Sequence, residues 1–179
     1  MAQGLDLTHL DTWIRRHVPE FQGPLTAEKF SGGQSNPTFK LTAGDRQYVL
    51  RRKPQGTLLA SAHAVDREFK VLSALSSTNV PVPVPVALCE DETIIGSMFY
   101  VMEYLEGRIF WDPALPEVND ADRGEIYDQM NQVLADMHNV DISAVGLSDY
   151  GKPGNYFERQ IGRWTKQYRA AETTRIPAM

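Results

Sequence analysis

Up to about residue 105 the apolar positions fall mainly in short alternating runs, and beyond it they recur every three or four residues. Leu10, Trp13, Ile14 and His17 share one face and predict a helix over 7–18, stopped by Pro19. Residues 27–31 read as a first strand. Residues 37–42 and 46–52 read as the arms of a hairpin around Ala43-Gly44-Asp45. A helix is predicted over 61–75, where Ala64, Val65, Glu68, Phe69, Leu72 and Leu75 share a broad face with a carboxylate at its middle. A half-buried carboxylate needs a cation.

In the run from Val80 to Val86 alternate residues are prolines without an amide hydrogen. It should lie extended along a surface or sheet edge, not in a central strand. Strands follow at 87–90 and 99–103. The second of these, Met98 to Met102, is nearly continuous apolar and should be an interior strand. Glu106-Gly107 breaks the pattern. Ile126, Met130, Val133 and Met137 form one stripe of a helix over 120–138, with Asp120 or Asp122 placed to cap its start. Phe157, Ile161, Trp164 and Tyr168 mark a last helix over 156–171.

The change of period divides the chain into residues 1–105, mainly strands, and 106–179, helices and loops. The second part has tryptophan, tyrosine and methionine faces that need something to bury against. It reads as the beginning of a larger helical lobe. The fold class expected is α+β, an antiparallel sheet with a helix followed by that start.

Composition narrows the function only a little. With 42% hydrophobic and 23% charged residues the chain is ordinary globular material. A net charge of −5 gives no cue for a nucleic-acid or anionic-membrane partner. The single cysteine, Cys89, excludes an internal disulfide framework and fits a reducing compartment, hence an expected cytoplasmic location. No apolar run is long enough to span a bilayer, and residues 1–20 contain no signal-type apolar core.

The chemistry gathers at Ser31-Gly32-Gly33-Gln34-Ser35-Asn36, a polar turn between two strands. Its glycines let a ligand approach the backbone, although Gly-Gly is also an ordinary hairpin turn. After it come a strand ending in Arg51-Arg52-Lys53, a helix carrying Glu68, and an apolar strand. This is the order of parts in a protein-kinase-like nucleotide lobe, where a strand cation holds phosphates and a helix carboxylate holds the cation. Arg51 and Lys53 share one strand face and Arg52 takes the other. Arg51 directly follows Tyr48-Val49-Leu50, so it is expected to sit deepest and to be the phosphate ligand, with Lys53 second.

These segments, together with Asp66-Arg67-Glu68-Phe69, Val82-Pro83-Val84-Pro85 and Tyr100-Val101-Met102-Glu103-Tyr104-Leu105-Glu106-Gly107, resemble the aminoglycoside phosphotransferase family of kinase-like enzymes. Gly107-Arg108-Ile109-Phe110-Trp111-Asp112-Pro113 and Glu158-Arg159-Gln160-Ile161-Gly162-Arg163-Trp164 look like the subgroup fused to acyl-CoA dehydrogenases. The resemblance implies a kinase-like fold and an ATP-dependent transfer of the γ-phosphate to a small hydroxylated molecule, with magnesium. It implies Met102 near the gatekeeper position, adenine held by the backbone of Glu103-Tyr104-Leu105, and Glu68 as partner of the strand cation.

Two departures stand out. Much of the family has lysine where this chain has Arg51. The family's His-Gly-Asp catalytic loop and metal-binding aspartate do not occur either, and the resemblance places them beyond residue 179. His138, Asp136 and Asp141 are read as helix-end, helix-surface and loop-capping groups. A non-catalytic nucleotide-binding or interaction module on the same lobe is the alternative.

Overall fold

A computed structural model describes residues 4–31, 35–54, 63–152 and 154–174 of the chain. The elements run α1 (Leu7–His17), β1 (Leu25–Lys29), β2 (Thr38–Ala43), β3 (Arg46–Arg52), α2 (Val65–Leu75), β4 (Pro85–Cys89), β5 (Phe99–Glu103), α3 (Asp120–His138) and α4 (Tyr156–Ala171). The five strands make one antiparallel sheet in the order β1-β2-β3-β5-β4. The α+β class and the kinase-like arrangement expected from the sequence are therefore present.

Alternation gives the sheet two unlike faces. Phe39, Leu41, Leu50, Phe99 and Val101 point to one side and are buried with Leu10, Trp13 and Ile14 of α1. The Trp13 ring meets Phe99 edge-on at 4.8 Å. The opposite face carries Thr38, Arg51 and Tyr100 as one cross-strand row, and Lys40, Val49 and Met102 as the next. Helix α2 covers the β4–β5 side of this second face, with Phe69 against Tyr100 at 6.0 Å.

The β2–β3 hairpin closes through Gly44-Asp45, so Ala43 pairs with Arg46 and every later pair is fixed. Gly44 has φ +61°, and a Cβ there would lie 3.2 Å from the Gln22 carbonyl oxygen, so the turn requires glycine.

Several boundaries differ from the sequence reading. The first strand spans 25–29 rather than 27–31, because its register against β2 runs from Leu25–Ala43 to Lys29–Phe39. Helix α2 starts at Val65, since His63 lies in the left-handed region at φ 61°. Strand β4 takes in Pro85, which an edge strand tolerates. The cap of α3 is neither Asp120 nor Asp122 but Asn119, whose side chain accepts from the Asp122 amide at 2.9 Å. Strand β5 is interior, between β3 and β4.

After β5 the described chain contains helices and loops only. Met130, Leu134 and Met137 of α3 and Phe157, Ile161 and Trp164 of α4 are exposed. Tyr168, expected among them, is half-buried. Among the described residues no helix is long and apolar enough to cross a membrane.

Candidate functional site

The row Thr38–Arg51–Tyr100 sets the site. Strand alternation turns Arg51 toward α2, where Glu68 lies one turn in from the helix start. The Arg51 Nε donates to Glu68 Oε2 at 2.7 Å. Both side chains are about one-third exposed, so one edge of the pair stays open to a ligand.

Glu68 is held by more than its cation. The Tyr100 hydroxyl donates to the same Oε2 at 3.1 Å, and the Asn36 side-chain amide donates to Oε1 at 2.8 Å. Asn36 is buried and its Oδ1 lies 2.9 Å from His63 Nδ1. Because the Asn36 amide faces Glu68, Oδ1 is the acceptor and His63 Nδ1 carries the proton. Thr38 Oγ1 accepts from Arg51 Nη1 at 3.1 Å and donates to the Asn36 carbonyl at 3.0 Å. Burial, and then the neighbouring Glu68 carboxylate, push the Tyr100 phenol well above its ordinary value. It remains a neutral donor to that carboxylate.

The structure thus brings together Arg51, Glu68 and Asn36 of the residues singled out in the sequence. Asn36 does so in an unexpected way, with both ends of its side chain engaged by protein. Gly32, Gly33 and Gln34 lie outside the described residues. Ser31 and Ser35 flank them and are exposed. The turn's ends are drawn together by the Phe30 amide, which donates to the Thr38 carbonyl at 3.1 Å. Lys53 spends its amide on the Met98 carbonyl at 2.9 Å and is not part of the Glu68 cluster.

The expectation that Arg51 sits deepest is corrected. Arg52 is the buried cation, 7% exposed, because its face is the one packed with α1. Its guanidinium donates to the carbonyls of Gly4 at 3.3 Å and Ile95 at 3.4 Å and lies 5.7 Å from the Phe39 ring centre. Burial pulls its pKa below the ordinary arginine value.

On the same sheet face as Arg51, Val49 is buried and Met102 half-buried in adjacent strands. The Glu103 amide donates to the Val84 carbonyl at 2.8 Å, and the Glu103 carboxylate accepts from the Val84 amide at 3.2 Å. The Leu105 amide has no backbone partner among the described residues. Lys40 Nζ stands 4.3 Å above the Tyr104 ring.

Elsewhere the sequence reading of polar groups holds in part. Asp141 caps its loop by accepting from the Ser143 and Ala144 amides. Asp136 accepts from Gln132 along α3, and His138 is exposed at the helix end. Among the described residues no group of three or more His, Cys, Asp or Glu side chains is placed to hold a metal ion.

Sequence reasoning missed Thr38 and Tyr100. A signal for Thr38 was present: counting outward from the two-residue turn, the fifth step from Ala43–Arg46 reaches Thr38–Arg51. Tyr100 had no comparable signal, since β3 and β5 are joined by no tight turn.

A family model described as Phosphotransferase enzyme family (APH) matches residues 26–179. Acyl-CoA dehydrogenase family member 10 of Mus musculus is 54% identical over 157 residues, covering 88% of this chain and 15% of that protein. Acyl-CoA dehydrogenase family member 11 of Rattus norvegicus is 46% identical over 178 residues, covering 97% of this chain and 23% of that protein. The crystal structure of a putative aminoglycoside phosphotransferase from Ralstonia eutropha JMP134 superposes with a TM-score of 0.82 at 53% identity, covering 97% of this chain and 50% of the other. The chain spans less than a quarter of the two longer relatives and half of the crystallised one.

Proposed function

Because the chain belongs to the phosphotransferase enzyme family, we propose that it is the nucleotide-holding lobe, with the start of the substrate lobe, of an ATP-dependent kinase acting on a small hydroxylated molecule. The observation that carries this reading is the Arg51–Glu68 pair at 2.7 Å, partly exposed on the sheet face that also bears Val49 and Met102.

In this reading Arg51 binds phosphate oxygens and Glu68 fixes its long side chain, which removes the entropy of placing it at each turnover. Val49 and Met102 supply the apolar surface under the base. The Leu105 amide, without a backbone partner among the described residues, fits a donor to its edge. The glycine turn at 31–36 covers the phosphates, and magnesium bound with the nucleotide supplies charge neutralisation on them. We assign the ligands of that magnesium outside residues 1–179, where the family resemblance places them.

The relatives' names connect their longer chains with acyl-CoA dehydrogenases. This supports an acceptor hydroxyl on an acyl or other metabolic compound over an antibiotic. The test is to incubate the complete natural protein that carries this chain with magnesium-ATP and a panel of hydroxyacyl compounds and aminoglycosides. Acceptor-dependent ADP release that disappears in Arg51→Met is expected. A folded protein that binds no adenine nucleotide would overturn the reading, and one that binds without turnover on any acceptor would favour a non-catalytic nucleotide-binding module.

A further inference from the structure

Arginine and carboxylate ordinarily meet fork to fork, with Nε and one Nη donating to the two oxygens. Here they do not. Glu68 Oε2 takes Nε at 2.7 Å, while Oε1 is claimed by the Asn36 amide at 2.8 Å. The Tyr100 hydroxyl adds a second donor to Oε2, which further fixes the carboxylate's rotation. Nη1 is taken by the Thr38 hydroxyl at 3.1 Å, and Nη2 has no partner among the described residues. Asn36 is in turn fixed from behind by His63 at 2.9 Å, and Thr38 is anchored on the Asn36 carbonyl at 3.0 Å.

We infer that Asn36 and Thr38 are positioning residues that adapt this site to an arginine: Asn36 keeps Oε1 of Glu68 from closing the fork on Nη2, and Thr38 holds Nη1 and with it the plane of the guanidinium, so that Nη2 is presented to a phosphate oxygen. The inference rests on the nucleotide-binding reading above. It also gives the arginine a reason to be there. A lysine offers one nitrogen, which needs no diversion of Oε1 and no hydroxyl on its flank. Without Asn36, Glu68 is free to rotate onto Nε and Nη2 together, which strengthens the ion pair and withdraws the ligand edge.

The experiment uses the complete natural protein with Asn36→Ala, Thr38→Val and Thr38→Ser, each made with Arg51 and with Arg51→Lys. The first readout is affinity for a non-hydrolysable magnesium-ATP analogue. One hydrogen bond is worth a factor of about five, so Asn36→Ala and Thr38→Val are expected to weaken binding about fivefold with Arg51 and less than about twofold with Arg51→Lys, while Thr38→Ser stays near wild type. Equal losses in both backgrounds would mean a merely structural role and overturn the inference.

The second readout is the arginine side-chain nitrogen spectrum of the nucleotide-free protein. The Arg51 Nε–H signal is expected to persist in every variant with Arg51, with the Nη signals changing in Asn36→Ala and Thr38→Val. Unchanged Nη signals would overturn the inference even if nucleotide affinity falls. If the wild-type protein binds no nucleotide, the proposed function fails, and the Nη presentation fails with it as a ligand edge while the clamp itself is still judged by this spectrum.

Discussion

Tyr100 and Arg51 sit directly opposite each other on neighbouring strands, and both donate to the same oxygen of Glu68, at 3.1 and 2.7 Å. Two strands and a helix are thereby tied at a single atom. The arrangement makes Glu68 the point where the sheet, α2 and the polar turn are held in one geometry.

Replacing Glu68 by Ala should leave Arg51 without its anchor. Hydrogen bonds to charged groups contribute about 1.5–3 kcal/mol, which corresponds to about 10- to 100-fold. We expect kcat/KM for magnesium-ATP in the complete natural protein to fall by that factor, with the acceptor KM little changed. A change confined to the acceptor KM would place Glu68 outside the phosphate site.

Tyr100→Phe should alter the alkaline limb of stability. The folded phenol holds its proton above the ordinary value of 10.0, because of burial and then Glu68. A group raised on folding adds stability that is complete below its unfolded value and is lost as pH rises toward the folded one. Thermal melts from pH 8 upward should therefore fall more steeply above about pH 10 for the wild type than for Tyr100→Phe. Parallel curves would contradict the buried, Glu68-facing hydroxyl.

Asn119→Ala removes the side-chain cap of α3. Such caps contribute about 1 kcal/mol, which for a domain of this size lowers Tm by about 2–4 °C. Asp120→Ala, whose side chain accepts from Arg123, and Asp122→Ala, which removes only the bond from the Asn119 side-chain amide and leaves the backbone cap in place, should move it less, and differential scanning calorimetry separates the three.

Trp164 and Met130 are 64% and 59% exposed, on helices whose apolar stripes lie open to solvent. Burying one such side chain is worth about 1.5–3 kcal/mol, so residues 1–179 expressed alone should self-associate. Trp164→Gln with Met130→Gln should reduce association in sedimentation velocity and shift Tm little, because exposed substitutions lie within about ±0.5 kcal/mol. A monomeric wild-type fragment that binds no hydrophobic dye would show these stripes covered by another route.

How much of this was legible in sequence follows from range. The hairpin at Gly44-Asp45, the interior strand 99–103, α3 and α4 were set by local periodicity and turns, and they fall where expected. The family was legible from the joint order of loose motifs. So was the Arg51–Glu68 pair, because strand alternation and helix phase each point one residue inward. The roles of Asn36 and Tyr100 were not legible. They depend on the pairing of β3 with β5 and on the seating of α2, which no local pattern encodes. The depth of Arg52 was hidden for a similar reason: alternation separates the two faces of a strand but does not say which face a distant helix will cover.

That helix has a consequence for the chain's beginning. Arg52 keeps its charge in a packed interior with two main-chain oxygens near it, and one of them, from Gly4, precedes α1. No carboxylate pairs with it among the described residues. Any tag, processing event or truncation that displaces residues 4–6 therefore strips solvation from a cation with nowhere to go, and the injury would surface at the far end of β3, beside Arg51, rather than where the chain was cut.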